Sequence, residues 1–261
     1  MHRSVPDSRR AGLRRTAALV PAVVLLASLV SCTSPPDPLD TPCGVVVDGS
    51  GSGSSEDGFD AEAKLKSSLL PFLDEQGCGS VEFAPITRSS KSSPCRVADV
   101  DLDPPGNETT DRDRARAKAR SLAAKRALEE LECARTQDGS DVWGALDRIG
   151  AAVSGDGAGD GGGDGGGAGS SAKLLVVSDF DQADKDFNLY KADLSTEQKR
   201  TSVIDTLVEQ RGLPGLKDMH VYPVGLGMQY HGRPSESEDF EAFWAEILEG
   251  RAQAHVDYDY R

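Results

Sequence analysis

Apolar residues along this chain fall into two kinds of pattern. Gly44–Val47, Lys173–Ser178 and His220–Leu226 are short, nearly continuous apolar runs, as expected of strands buried on both faces of a sheet. Pro223 inside the last of these predicts an edge strand. Ser80–Ile86 and Arg96–Leu102 alternate as strands do, and the short Ser-rich turn between them permits an antiparallel hairpin. Between these runs the spacing becomes helical. Residues 59–76 place Phe59, Ala63, Leu65, Leu69, Leu70 and Leu73 near one face, and Gly77 ends the helix. Further helices are predicted over 111–132, with Thr110 as N-cap, and over 141–153. One over 195–211 opens with a capping box, Ser195 to Gln198. The last opens with a second box, Ser235 to Glu238, and carries Phe240, Phe243, Trp244, Ile247 and Leu248 on one side as far as Gly250. Strands alternating with helices predict an α/β fold with a mostly parallel sheet.

The N-terminus follows a different logic. Arg3, Arg9, Arg10, Arg14 and Arg15 precede an uncharged run over 16–30, and Leu29-Val30-Ser31-Cys32 follows. A basic region, a short apolar run and small residues describe a secretory signal over residues 1–31. The run is shorter than the roughly 20 residues a spanning helix needs. The Leu-Val-Ser-Cys ending resembles the bacterial lipobox, which implies cleavage before Cys32 and its acylation. The alternative is a secreted protein with a stray cysteine. Arg9-Arg10 leaves the Sec and twin-arginine routes open. Residues 32–42, rich in proline, form an extended tether. The expected location is the outer face of the bacterial cell membrane.

Charge narrows the partners. The signal carries +4, so the mature chain stands at −18 against −14 for the whole. Such an acidic surface argues against nucleic acid and anionic lipid headgroups, and suits divalent cations or basic partners. Four cysteines remain beyond Cys32, namely Cys43, Cys78, Cys95 and Cys133. An even number in an oxidising compartment predicts two disulfides, with three pairings open at this point.

Candidate chemistry begins directly after the first strand. Asp48, Ser50 and Ser52 stand at alternate positions of a Gly-rich turn. A carboxylate and two hydroxyls supply hard oxygen ligands, which suit Mg²⁺, Mn²⁺ or Ca²⁺. Open α/β sheets bind ligands beyond the carboxyl ends of their strands, where this turn falls. Two further elements follow in order: Gly139-Ser140 ahead of Ala145-Leu146, and Val176-Val177-Ser178-Asp179 ending the fourth strand.

Together these resemble the metal-ion-dependent adhesion site of the von Willebrand factor type A (VWA) family. The resemblance spans roughly residues 43–250. It implies a Rossmann-like open sheet, mostly parallel with one antiparallel strand and helices on both faces, over residues 43–252. Residues 155–171 become a Gly-rich inserted loop and 253–261 a C-terminal tail. It also implies metal ligation by Asp48, Ser50 and Ser52, with Ser140 acting directly or through water and Asp179 mostly through water. A protein partner would complete the coordination with an acidic side chain, and no catalysis is implied. In the topology so implied, Cys43 and Cys78 start adjacent strands at one end of the sheet. Cys95 and Cys133 lie at the other end, so the expected pairs are Cys43–Cys78 and Cys95–Cys133. The sequence departs from the family pattern in Ser140, where threonine is usual, and in Phe180, where glycine is usual.

Alternatives accompany this reading. Asp179-Phe180-Asp181 resembles the nucleophile motif of haloacid-dehalogenase-type phosphatases. A VWA fold with a decayed metal site would serve as an envelope scaffold. Arg112, Arg116 and Arg120 share a helix face, either as a patch for an acidic partner or as a solvated face. Trp143 either flanks the site or belongs to the core.

Overall fold

The computed structural model describes residues 37–51, 59–104, 111–154 and 171–260. The signal, Cys32, Ser52, Thr110 and the Gly-rich run 155–169 lie outside the described residues.

Eleven principal elements follow one another along the described chain: β1 (Thr41–Asp48), α1 (Ala61–Glu75), β2 (Cys78–Ile86), β3 (Val100–Asp101), α2 (Arg112–Ala134), α3 (Val142–Val153), β4 (Lys173–Val177), α4 (Glu197–Arg211), β5 (His220–Val224), α5 (Pro234–Ala245) and β6 (His255–Val256). They form a six-stranded sheet in the order β3-β2-β1-β4-β5-β6, parallel except for β3 against β2. The fold is therefore α/β with a mostly parallel sheet.

The continuous apolar runs are explained by two cores. Side chains alternate across a strand. Val45 and Val47 of β1, with Leu175 and Val177 of β4, pack among α1 and α2. Val46, Leu174 and Val176 pack on the opposite face among α3, α4 and α5. A strand covered on both sides has no polar face to show, so β1 and β4 read as unbroken hydrophobics.

Both disulfides are present. Cys43–Cys78 ties β1 to β2, and Cys95–Cys133 ties the segment after β2 to the last turn of α2. The alternation predicts a third strand over Arg96–Leu102, yet only Val100–Asp101 pairs, with Val81 and Ser80. The Ser90–Ser92 turn, Pro94 and the bond from Cys95 hold the chain against α2 and α3, so it reaches the sheet late.

Four other expectations change. The cap of α2 is Asp111, whose carboxylate accepts from the amides of Asp113 and Arg114. The cap of α4 is Thr196 and not Ser195, with the Thr196 hydroxyl accepting from the Lys199 amide. The second capping box does not form, because Pro234 occupies the first turn of α5 and draws Ser235 inside the helix. Proline lacks the N–H that would otherwise be orphaned there and has its φ preset. Finally, the expected C-terminal tail contributes β6 beside β5. β6 reaches only Val221, so at Pro223 the edge of the sheet is β5 itself, which is how proline is accommodated. Tyr260 packs edge-on against Phe72 and Tyr222.

The arginine face of α2 is engaged internally. Arg112 and Arg116 both bind Asp103, and Arg120 pairs with Asp74. Among the described residues no helix is long and apolar enough to cross a membrane. The two disulfides fit an oxidising, extracytoplasmic compartment.

Candidate functional site

The carboxyl ends of β1, β2, β4 and β5 meet at one edge of the sheet, as parallel pairing requires. β1 ends in Asp48, which is fully buried. Its Oδ1 accepts the Ser50 amide at 2.9 Å, and its Oδ2 accepts the Ser178 hydroxyl at 2.6 Å. The same Ser178 Oγ accepts the Phe180 amide at 2.8 Å. One serine thus stitches the end of β1 to the turn after β4. Asp179 follows, 1% exposed, and its Oδ1 accepts the Asp181 amide at 3.0 Å. The Asp179 carbonyl accepts from Gly227, which joins this turn to the loop after β5.

Ser140 enters from the start of α3. Its amide donates to the Ala183 carbonyl, and its own carbonyl accepts the Ala183 amide, both at 2.8 Å. The next amide, of Asp141, donates to the Thr87 carbonyl beyond β2 at 2.7 Å. Ser140 is therefore fixed between the loops that follow β2 and β4. Its hydroxyl is buried and has no hydrogen-bond partner among the described residues. Oδ1 of Asp181 is in the same condition.

The electrostatics follow from that burial. Loss of solvent, then the nearby Asp179 charge, pushes the Asp48 carboxyl up to about 6, against the pull of Ser178 and Ser50. Burial, Asp179 and Asp48 push Asp181 up to about 7, opposed by a hydrogen bond from Tyr190. Among the described residues neither Asp48 nor Asp181 has a cationic partner. Buried carboxylates crowded in this way favour a proton or a cation.

Backbone conformation shapes the two acidic turns differently. At Gly49 an added Cβ would lie 2.4 Å from the Ala134 Cβ and 2.5 Å from the Ala134 carbonyl carbon, so this loop lies directly against the end of α2. Phe180, by contrast, holds a left-handed backbone with φ of 63° while fully buried, its ring edge-on to Trp244 at 5.3 Å. A bulky side chain in that region is a strained arrangement.

Of the residues singled out from sequence, Asp48, Ser50 and Asp179 stand on hydrogen-bonded neighbouring turns, and Ser140 joins them through Ala183. Ser52 lies outside the described residues. Trp143 is a core residue whose Nε1 donates to the Gly212 carbonyl at 3.1 Å. Among the described residues no three His, Cys, Asp or Glu side chains are grouped to hold an ion. A set of two carboxylates with hydroxyls is a different kind of group, and its donors are hard oxygens.

Sequence marks Asp181 only as part of a phosphatase-like motif. Here it is a further buried acid, whose carboxyl feels the charges of Asp179 and Asp48. Gln182, Asp184 and Arg211, which surround the Ser140 loop, carried no signal in sequence because they act through contacts between separate loops. No protein family, curated protein or solved structure matches the chain.

Proposed function

We propose that this chain is an exported, lipid-anchored protein whose VWA-like domain binds a protein partner through a divalent cation. Asp48, Ser50, Ser52 and Ser140 would hold the ion, Asp179 mostly through water, and the ion would be Mg²⁺, Mn²⁺ or Ca²⁺. When bound, it supplies a positive centre able to accept an acidic side chain from the partner. The observation that carries the reading is that buried Asp48 and Asp179 end neighbouring turns joined through Ser178, while the partnerless Ser140 hydroxyl stands on a segment bonded to the same loop at Ala183. The sheet order, with its single antiparallel strand, agrees with the same family.

The lipid at Cys32 and the Pro-rich tether would keep this face close to the membrane. Such confinement raises the effective concentration toward partners in the same layer. The chain acts by binding and not by catalysis.

A thermal-shift series tests the reading. Mg²⁺ or Mn²⁺ should raise the melting temperature of the purified protein, and Asp48→Ala should abolish that rise. The outcome that reverses it is phosphatase activity that is abolished by Asp179→Asn while cation binding is untouched by Asp48→Ala.

A further inference from the structure

Ser140 is held by more than its two backbone bonds to Ala183. A buried polar network joins the loop after β4 to the start of α3. Gln182, 1% exposed, accepts the Trp143 amide on Oε1 at 2.8 Å and donates through Nε2 to Asp184 and, at 3.4 Å, to Asp141. Asp141 accepts the Gly144 amide at 2.9 Å and the Ser90 amide at 3.0 Å, so it caps α3 and grips the loop after β2 together. Arg211, in the last turn of α4, closes the network. Its two terminal nitrogens reach both oxygens of Asp184 at 2.6 and 3.0 Å, and one also reaches Asp141 at 3.4 Å.

Each member is satisfied by the others. Burial would raise Asp184, yet Arg211 and the amides of Asp186 and Phe187 outweigh it and hold that carboxyl below its ordinary value. Arg211 sits 17% exposed at its side chain and Asp184 4%. A guanidinium fork with fixed donors suits this two-oxygen contact, which an ammonium cannot reproduce.

We infer that Gln182 and Arg211 are positioning residues for the cation site. They latch the loop bearing Asp179 to the loop bearing Ser140 and so set where the Ser140 hydroxyl stands. The inference rests on the cation-binding reading above. Groups behind a metal's ligands commonly alter affinity by about 10- to 100-fold when removed.

Two measurements on the purified protein test it. Amide hydrogen exchange at Ser140 and Ala183 reads the latch directly, and Mn²⁺ calorimetry at a temperature where every variant is folded reads its consequence. Arg211→Ala and Gln182→Met should each lose protection at both amides and bind Mn²⁺ about 10- to 100-fold more weakly. Arg211→Lys should fall between these and wild type. Ile204→Val, a core change two turns away on α4, should keep wild-type affinity. Unchanged protection or unchanged affinity in Arg211→Ala and Gln182→Met overturns the inference, as does an equal loss in Ile204→Val. A wild-type protein that binds no Mn²⁺ overturns the cation reading and the positioning role with it. That outcome differs from failure of the latch alone, in which wild type and variants bind equally.

Discussion

Two acidic turns lie side by side at the carboxyl edge of the sheet, and they solve the same problem in opposite ways. After Asp48 the chain uses Gly49, which lets the end of α2 approach to a distance no side chain permits. After Asp179 it places Phe180 in a left-handed conformation that glycine would adopt freely, and packs the ring against Trp244. The first turn gains proximity by omitting a side chain. The second accepts backbone strain and offsets it with core packing. The turn after Asp179 is therefore anchored from below, and its shape depends on the hydrophobic core as much as on its own backbone.

Substitutions at the two turns separate these two devices. Phe180→Ala should lower the unfolding free energy in chemical denaturation by about 3–5 kcal/mol, because it leaves a cavity and keeps most of the strain. Gly49→Ala should cost about 1–3 kcal/mol by forcing the loop from α2, through overpacking and not cavity formation. Phe180→Gly should be more stable than Phe180→Ala by about 1 kcal/mol, since the left-handed penalty is gone and the cavity grows only by the Cβ atom. If the alanine variant equals or exceeds the glycine one, the backbone at this position is not strained.

The acids of the two turns also predict a pH response. Asp48 and Asp181 keep their protons in the folded state to about 6 and about 7, against an ordinary value of 3.8. Between these limits the native state binds more protons than the unfolded chain, so stability falls as pH rises from about 4 to about 7. In chelator, the melting temperature should drop by several degrees over that window, and Asp48→Asn should flatten the lower part. Asp103 acts in a separate range. Its hydrogen bonds to Arg116 and Arg112 hold its carboxyl well below the usual value, so its contribution disappears only below about pH 4.

Much of this architecture is legible in the residue pattern. Runs such as Val45–Val47 and Leu174–Val177 announce strands covered on both faces, and they are the strands at the centre of the sheet. Gly77, with φ of 63°, ends α1 where its identity indicated. What was not legible depends on competition between neighbours. Ser195 and Thr196 both suit an N-cap, and only the entry path of the chain selects Thr196. Ser235 matched a capping box that Pro234 preempts. The third strand alternates well in sequence, but only Val100 and Asp101 pair with β2, after the Cys95–Cys133 bond to α2.

The candidate site divides in the same way. Asp48, Ser50, Ser140 and Asp179 stand out because short motifs place hard oxygens after strands. Gln182 and Arg211 are 29 residues apart and meet only through Asp184 and Asp141, so no local pattern reveals them. The strain at Phe180 was visible only as an unexpected residue type. Its left-handed backbone is a property of the folded turn.

The proposed cation site brings the two acidic turns and Ser140 onto one ion. Calorimetric titration of Mn²⁺ into the purified protein at neutral pH reads that site, with Asp48→Ala and Ser140→Ala titrated beside it. Wild type should bind a single ion, Ser140→Ala should bind it more weakly and Asp48→Ala should bind none. Wild-type protein that takes up no ion, or an ion held equally well by Asp48→Ala, would contradict the proposed site.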